Sequence, residues 1–197
     1  MLLLHGLGEH SPASVPDEVA VWPGPVFALD FTGHGSSTLP IGGGYTAEVL
    51  MADADAALAH IGPATIIGRG LGGYVAVLIA GARPSLVRGA VVVDGPGSAG
   101  GGPVPTSQLF VTPQIRRSGT PDAFALYELA RDIRPPDYAQ GFARLAIQHS
   151  GLDSPLAVAA KFRPIWLQAV VDEAGVVECS LPAALKMFAA QNVQSAR

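Results

Sequence analysis

The amino-acid sequence predicts an α/β protein in which a mostly parallel sheet is flanked by helices. Short apolar runs at residues 2–4, 26–29, 64–67 and 89–93 each lead into a glycine loop or an aspartate. Runs this short and this apolar are typical of strands buried on both faces, as in a parallel sheet. Helical patterns at residues 46–61 and 71–82 lie between them, and strands that alternate with helices are typical of parallel βαβ units.

The helical segments are predicted from their apolar spacing and from the residues at their ends. Thr46 is a suitable N-cap for the helix over 46–61, whose apolar residues form one stripe. The stretch 71–82 is apolar on every side, which predicts a buried helix that ends before Pro84. Further along, the pattern predicts a fifth strand at 165–171 and a last helix at 181–191.

Between the fourth and fifth predicted strands the pattern changes. Residues 95–105 are nearly all Gly, Pro, Ser and Val, and helical pieces follow at 122–132 and 138–150. Prolines separate these pieces, and no strand is predicted before residue 165. We therefore predict one structural domain whose core is formed by residues 1–95 and 163–197, with a helical cap insertion at 96–162.

Composition excludes several classes of function. The chain has 197 residues, a net charge of −4 and scattered basic residues, so a nucleic-acid partner is not expected. The longest apolar run, 71–82, is shorter than the ~20 residues that span a bilayer, and no basic segment precedes the apolar start, as a signal peptide would require. Cys179 is the only cysteine, which excludes an intramolecular disulfide and is typical of a reducing compartment. We expect a cytoplasmic protein without a membrane, metal or cofactor partner.

The most informative motif is the glycine-rich turn at residues 68–72, between the third strand and the second helix. It has the spacing of the nucleophile elbow, G-x-S-x-G, in which a serine is held on a sharp strand-to-helix turn. Gly70 stands where that serine would be, so no covalent intermediate can form there. Gly68, Gly70 and Gly73 also match the dinucleotide-binding spacing G-x-G-x-x-G, and Asp94 ends the next strand about 20 residues further on.

Three motifs in this order resemble the α/β-hydrolase family: H-G-L-G at residues 5–8, D-F-T-G-H-G-S-S at 30–37 and the elbow at 68–72. The resemblance implies that the backbone N–H groups of Leu7 and Leu71 form an oxyanion hole. From the same resemblance we expect this sequence to lack the two strands that usually precede the oxyanion loop and the strand that usually ends the sheet. With Gly70 at the elbow and no histidine after His149, the nucleophile and the base of the usual Ser-His-Asp triad are both missing.

Other residues in the predicted loops are candidates for chemistry. Asp94, and Asp172 or Glu173, lie near the positions where the family places its acid. Each of them is equally suited to accept hydrogen bonds from N–H groups of its own loop. His5 and His34 lie in glycine loops at the carboxyl ends of predicted strands, where they either structure the loop or polarise a ligand.

Three functions remain open from the sequence. The first is a protein that is non-catalytic or weakly active and binds a small apolar or carbonyl-containing ligand, with Arg69 either in solvent or at the pocket mouth, where it favours an anion. The second is a hydrolase of small esters or related substrates in which Asp94, with His5 or His34, activates water. The third is a dinucleotide-binding domain. A sheet that lacks terminal strands also predicts an exposed edge and self-association into a homo-oligomer.

Overall fold

The computed structural model describes residues 1–103 and 119–195, and a parallel sheet forms the centre of the molecule. The described residues contain six strands in the order β2-β1-β3-β4-β5-β6, with every neighbouring pair parallel. The strands are β1 (Leu2–Leu4), β2 (Phe27–Leu29), β3 (Ala64–Arg69), β4 (Val87–Val93), β5 (Leu156–Val158) and β6 (Val176–Glu178). The helices are α1 (Ala47–Ile61), α2 (Leu71–Ala82), α3 (Ala123–Arg131), α4 (Pro136–His149), α5 (Ile165–Val171) and α6 (Leu181–Ser195), with a 3-10 turn at Asp17–Val19. The predicted fold class is confirmed.

The sequence pattern explains the first two helices. The side chain of Thr46 accepts a hydrogen bond from Val49 N–H at 3.4 Å and caps α1, as predicted. The helix α2 has the bounds that its apolar run predicts, and its residues from Leu71 to Gly81 are all buried. Because α2 has no polar face, it lies between the sheet and the helices α1 and α4.

Successive side chains of the central strands point to opposite faces of the sheet, so the core is divided in two. On the first face, Ile66 of β3 and Val92 of β4 belong to a large apolar cluster that includes α1, α2, α4 and α5. On the second face, Ile67 and Val91 pack in a smaller cluster with Val19 of the 3-10 turn and with α6. The second face therefore has much less helical cover than the first.

The second half of the sheet differs from the prediction. Residues 165–171, predicted as the fifth strand, form α5 instead. Pro164 precedes its first turn, and Trp166, Leu167 and Val170 are buried on one side at helical spacing. The strands of this region are β5 and β6, of three residues each. Strands this short show no periodic pattern that could identify them in the sequence.

The range 96–162, predicted as a helical cap, contains α3, α4 and β5. The helix α4 packs closely on α2, because a Cβ atom on Gly81 would lie 2.4 Å from the carbonyl oxygen of Phe142. The division of the chain into core and cap segments stays a prediction. Among the helices of the described ranges, none is long and apolar enough to cross a bilayer.

Candidate functional site

The glycine turn lies between β3 and α2. Gly70 has φ 57° and ψ −114°, a backbone conformation that residues with a side chain rarely adopt. The other glycines let the strand and the helix approach closely: a Cβ atom on Gly68 would lie 2.1 Å from Gly72 O, and one on Gly72 would lie 2.5 Å from Leu4 O. A Cβ atom on Gly73 would lie 2.8 Å from a side chain of β4. Close packing of strand and helix therefore accounts for the G-x-G-x-x-G spacing.

The two backbone amides predicted to form an oxyanion hole converge on one oxygen atom of the protein itself. Leu7 N–H donates to the carbonyl oxygen of Pro96 at 3.1 Å, and Leu71 N–H donates to the same oxygen at 3.0 Å. The amides thus have the convergent arrangement that an oxyanion hole needs. In this structure both amides donate to Pro96 O, and the role of Leu7 and Leu71 as donors to a ligand oxygen stays a prediction.

The loop after β4 also fills the space above Gly70. A Cβ atom at that position would lie 2.2 Å from Pro96 O and 2.5 Å from Gly95 C. Gly95 faces the turn in the same way, because a Cβ atom on it would lie 2.8 Å from Gly70 N and 2.4 Å from Arg69 Cγ. The elbow is closed by backbone packed on backbone, and a side chain fits at position 70 only if the loop moves.

A buried arginine that the sequence analysis missed holds this loop. Arg134 is 1% exposed, and its Nη1 donates to Gly97 O and Ser98 O. Trp166 Nε1 also donates to Ser98 O at 2.8 Å, and the guanidinium carbon lies 4.8 Å from the centre of the Tyr74 ring. Burial lowers the pKa of Arg134 to about 10, so the side chain is charged at neutral pH. No sequence signal marks this residue, because its partners lie far away in the chain.

Asp94, the first candidate acid, follows β4 and is bound to the backbone of another loop. Its carboxylate accepts hydrogen bonds from Lys161 N–H at 3.0 Å and from Phe162 N–H at 2.9 Å. The bond from Lys161 is the main cause that holds the pKa of Asp94 below its usual value. The carboxylate thus caps a loop, and within the described ranges it has no hydrogen bond to a histidine.

The two candidate histidines are buried beside each other, with ring centres 5.0 Å apart. In His5, Nε2 accepts a hydrogen bond from Phe31 N–H at 3.1 Å and Nδ1 lies 2.7 Å from Gly6 O. These partners assign the proton to Nδ1 of a neutral ring. His34 has no exposed surface; its Nδ1 lies 3.3 Å from Thr32 O, and its Nε2 has no partner among the described residues. Burial lowers the pKa of both rings, as expected for histidines that structure loops.

The other predicted site residues lie at the surface. Arg69 is half-exposed, and its Nε donates to the carboxylate of Glu9 at 3.0 Å. Asp172 ends α5 and accepts a hydrogen bond from a side-chain amide of that helix, so it does not follow a strand as predicted. Glu173 pairs with Arg144 at 2.8 Å. The described part of the chain contains no group of three or more His, Cys, Asp or Glu residues that could hold a metal.

A groove of about 1090 Å³ opens beside the elbow on the second face of the sheet, and we call it the second-face groove. Residues between 8 and 19 and the segment after β6 form its walls. His5, Arg69 and Asp94, at the carboxyl ends of β1, β3 and β4, also line it. The sequence analysis missed this groove, although residues 9–25 are rich in proline and show no helical pattern. The prolines and the lack of a helical pattern in residues 9–25 are the sequence signal that this segment does not cover the second face with a helix.

The order of the elements and the geometry of the elbow define the class of protein. A tight glycine turn leads from a central parallel strand into a buried helix, and two amides converge beside it, as in the scaffold of α/β hydrolases. The chain belongs to the alpha/beta hydrolase family, whose family model matches residues 1–192. A comparison with curated proteins finds no significant match.

Solved structures are similar along almost the whole chain. A monoacylglycerol lipase of Paleococcus ferrophilus is 18% identical with a TM-score of 0.61, and the match covers 96% of this chain and 93% of the lipase. A thioesterase domain from the curacin biosynthetic pathway is 19% identical with a TM-score of 0.55, covering 98% and 89%. Est1E of Butyrivibrio proteoclasticus, solved with ferulic acid bound, is 13% identical with a TM-score of 0.56, covering 98% and 87%. At these identities the similarity establishes the fold alone.

Proposed function

We propose that the chain is a non-catalytic member of the alpha/beta hydrolase family that binds a small apolar or carbonyl-containing ligand. The observation that supports this most strongly is the carbonyl of Pro96, which accepts both amides of the oxyanion hole. A hydrolase needs these amides free for the oxygen that becomes negatively charged in the transition state. In this protein they are satisfied by the resting fold, and the elbow has Gly70 in place of a nucleophile.

Asp94 and His5 are engaged in structural bonds and His34 has no exposed surface, which argues against direct activation of water. Asp94 accepts two backbone hydrogen bonds, and His5 uses both ring nitrogens within the fold. General base catalysis needs a basic atom within hydrogen-bond reach of the attacking water. The Pro96 carbonyl also covers the N-terminus of α2, where the phosphates of a dinucleotide would bind. Non-catalytic ligand binding is therefore the function that the site supports best.

Hydrolysis assays test this proposal directly. The protein is incubated with nitrophenyl esters of increasing acyl length, a monoacylglycerol and an acyl thioester, because structures of the same fold are named for such activities. We expect turnover roughly 10⁶-fold below that of an intact triad and equal in the wild type and in the Asp94→Asn variant. Turnover on the order of 1–10³ s⁻¹ that Asp94→Asn abolishes would contradict the proposal.

Self-association through a sheet edge is a further part of the proposal. The edge strands β2 and β6 have three residues each, and Phe27 on β2 is 43% exposed. Short edge strands offer few unpaired backbone groups, so we expect weak association. Light scattering over a concentration series should show a mass that rises with concentration. A mass that stays that of the monomer up to the highest concentration would contradict self-association.

A further inference from the structure

The floor of the second-face groove is apolar and partly open. Leu3 of β1, Ile67 of β3 and Val93 of β4 line it, together with Ala159, which follows β5. Three of these residues lie on the neighbouring strands β1, β3 and β4 and the fourth directly follows the next strand, so they form an apolar surface across the middle of the sheet. Within residues 1–103 and 119–195, the cluster on the first face includes α1, α2, α3, α4 and α5, whereas the cluster on the second face contains the 3-10 turn, Trp22, Cys179 and α6 beside the strands.

The dimensions of the groove suit a small molecule. Its volume is about 1090 Å³, slightly above the ~300–1,000 Å³ of pockets that bury most of a drug-sized ligand. One wall is formed by Gly8, Pro12 and Val19, and the opposite wall by Cys179 and other residues at the start of α6. The walls also carry Glu9, Ser11, Glu18 and Ser180, so a molecule in the groove would meet an apolar floor and walls of mixed polarity.

Seven Asp, Glu, Lys and Arg side chains line the groove, and four of them form ion pairs with each other; Glu18 and Lys161, of opposite sign, also line it. Arg69 pairs with Glu9 at 3.0 Å, and Arg163 pairs with Glu178 at 2.7 Å. Asp94 is held by two backbone N–H groups. A charged ligand would meet both Lys161 and Glu18, one attractive and one repulsive, and would otherwise have to break an ion pair or lose its hydration without a partner; both cost free energy. An uncharged ligand meets neither penalty.

We propose that the second-face groove is the ligand site and that it takes an uncharged, largely apolar small molecule. This deepens the proposed function and rests on it, because the closed elbow leaves the groove as the place for a ligand to bind. The groove is built from the floor and walls described above. It needs none of the elbow amides.

The single cysteine of the chain allows a direct test. Cys179 lines the groove and is partly exposed, so a thiol reagent modifies one position without any mutation. The neutral dye N-phenyl-1-naphthylamine is titrated by fluorescence beside its sulfonated analogue, 1-anilinonaphthalene-8-sulfonate. We expect one site for the neutral dye, a Kd at least tenfold lower than that of the sulfonate, and alkylation of Cys179 by iodoacetamide that is at least fivefold slower at dye saturation.

A pair of variants locates the site independently. Ala159→Phe places a ring on the groove floor at a partly exposed position, and Ala52→Phe places the same ring on the exposed face of α1 as a control. We expect at least a tenfold rise in Kd for the first variant and no change for the second. If Ala159→Phe fails to fold, the protection of Cys179 in the wild type still decides the question.

Three outcomes would overturn the inference. The first is that the dye leaves the alkylation rate of Cys179 unchanged, and the second is that Ala159→Phe folds and binds normally. The third is that the sulfonate binds as tightly as the neutral dye. The first two leave the proposed function standing with the ligand bound elsewhere, and the third leaves it standing with a site that does not prefer uncharged ligands. Rapid ester hydrolysis would contradict the proposed function. It would not contradict the groove as a binding site, because a dye that protects Cys179 would still be bound there.

Discussion

The closed elbow makes a specific prediction for Gly70→Ser, the substitution that restores the hydroxyl of a nucleophile elbow. The new Cβ atom would lie 2.2 Å from Pro96 O and 2.5 Å from Gly95 C, so the loop has to retreat. It then gives up the hydrogen bonds that Pro96 O accepts from Leu7 and Leu71. We expect a less stable protein that still hydrolyses no ester, because both ring nitrogens of His5 and the carboxylate of Asp94 stay bound within the fold.

The magnitude follows from two effects at position 70. A side chain at φ 57° costs about 1–3 kcal/mol, and forcing an atom into a packed site costs about 1–3 kcal/mol more. The free energy of unfolding should therefore fall by about 2–6 kcal/mol. For a domain of this size each kcal/mol lowers Tm by about 2–4 °C, so the decrease in Tm should be at least about 4 °C.

Urea unfolding and thermal denaturation measure this loss, and two further variants separate its causes. Gly70→Ala should be as unstable as Gly70→Ser, because the clash comes from Cβ and not from the hydroxyl. Gly151→Ser is the matched control: Gly151 also has a positive φ, 73°, but a Cβ atom there meets nothing within 4 Å. The control should show the backbone strain alone. A Gly70→Ser protein as stable as the wild type, or no less stable than Gly151→Ser, would refute the closure of the elbow.

Three other predictions follow from buried and loop-capping side chains. Arg134→Met should loosen the loop after β4 and speed hydrogen exchange at the Leu7 and Leu71 amides by at least about tenfold. Unchanged exchange rates would show that Arg134 does not hold this loop in place. His5 and His34 are neutral in the fold because burial lowers their pKa, so stability should be full above the usual pKa of about 6.5 and fall as the pH drops below it. His34→Gln should weaken this pH dependence, and a wild-type free energy of unfolding that is equal at pH 7 and pH 5 would contradict it. Asp94→Asn should lower the free energy of unfolding by about 1 kcal/mol at neutral pH, measured by urea unfolding. The difference from the wild type should shrink at pH values below the usual carboxyl range, because the wild-type carboxylate is protonated there.

The fold could be predicted where the local pattern is long and unambiguous. The bounds of α2 follow from twelve apolar residues that end before Pro84, and α1 follows from the Thr46 cap and one apolar stripe. The error at 165–171 has the opposite cause, because a run of seven residues in which Gln168 is the one polar residue is compatible with a strand as well as with a helix. Only the packing of Trp166, Leu167 and Val170 against the other helices decides between them.

The candidate site could likewise be predicted only in part. The elbow and the oxyanion loop could be predicted because glycine spacing reports local turn geometry. The occupant of the oxyanion hole could not, because Pro96 lies in a Gly- and Pro-rich stretch that has no periodicity. Its position depends on tertiary partners, among them Arg134 through Gly97 O and Ser98 O.

The closed elbow also decides which property of a ligand should govern its affinity. A ligand carbonyl that entered the oxyanion hole would displace Pro96 O from two amides, exchanging equivalent hydrogen bonds for little net free energy. The free-energy cost of the translational and rotational freedom that the ligand loses on binding would remain uncompensated in the oxyanion hole. Apolar area buried in the second-face groove, in contrast, contributes about 25 cal/mol per Å². Across a series of neutral ligands, affinity should therefore rise with apolar area and not with the number of carbonyl groups, which calorimetric titration of matched alkanes, ketones and esters can test.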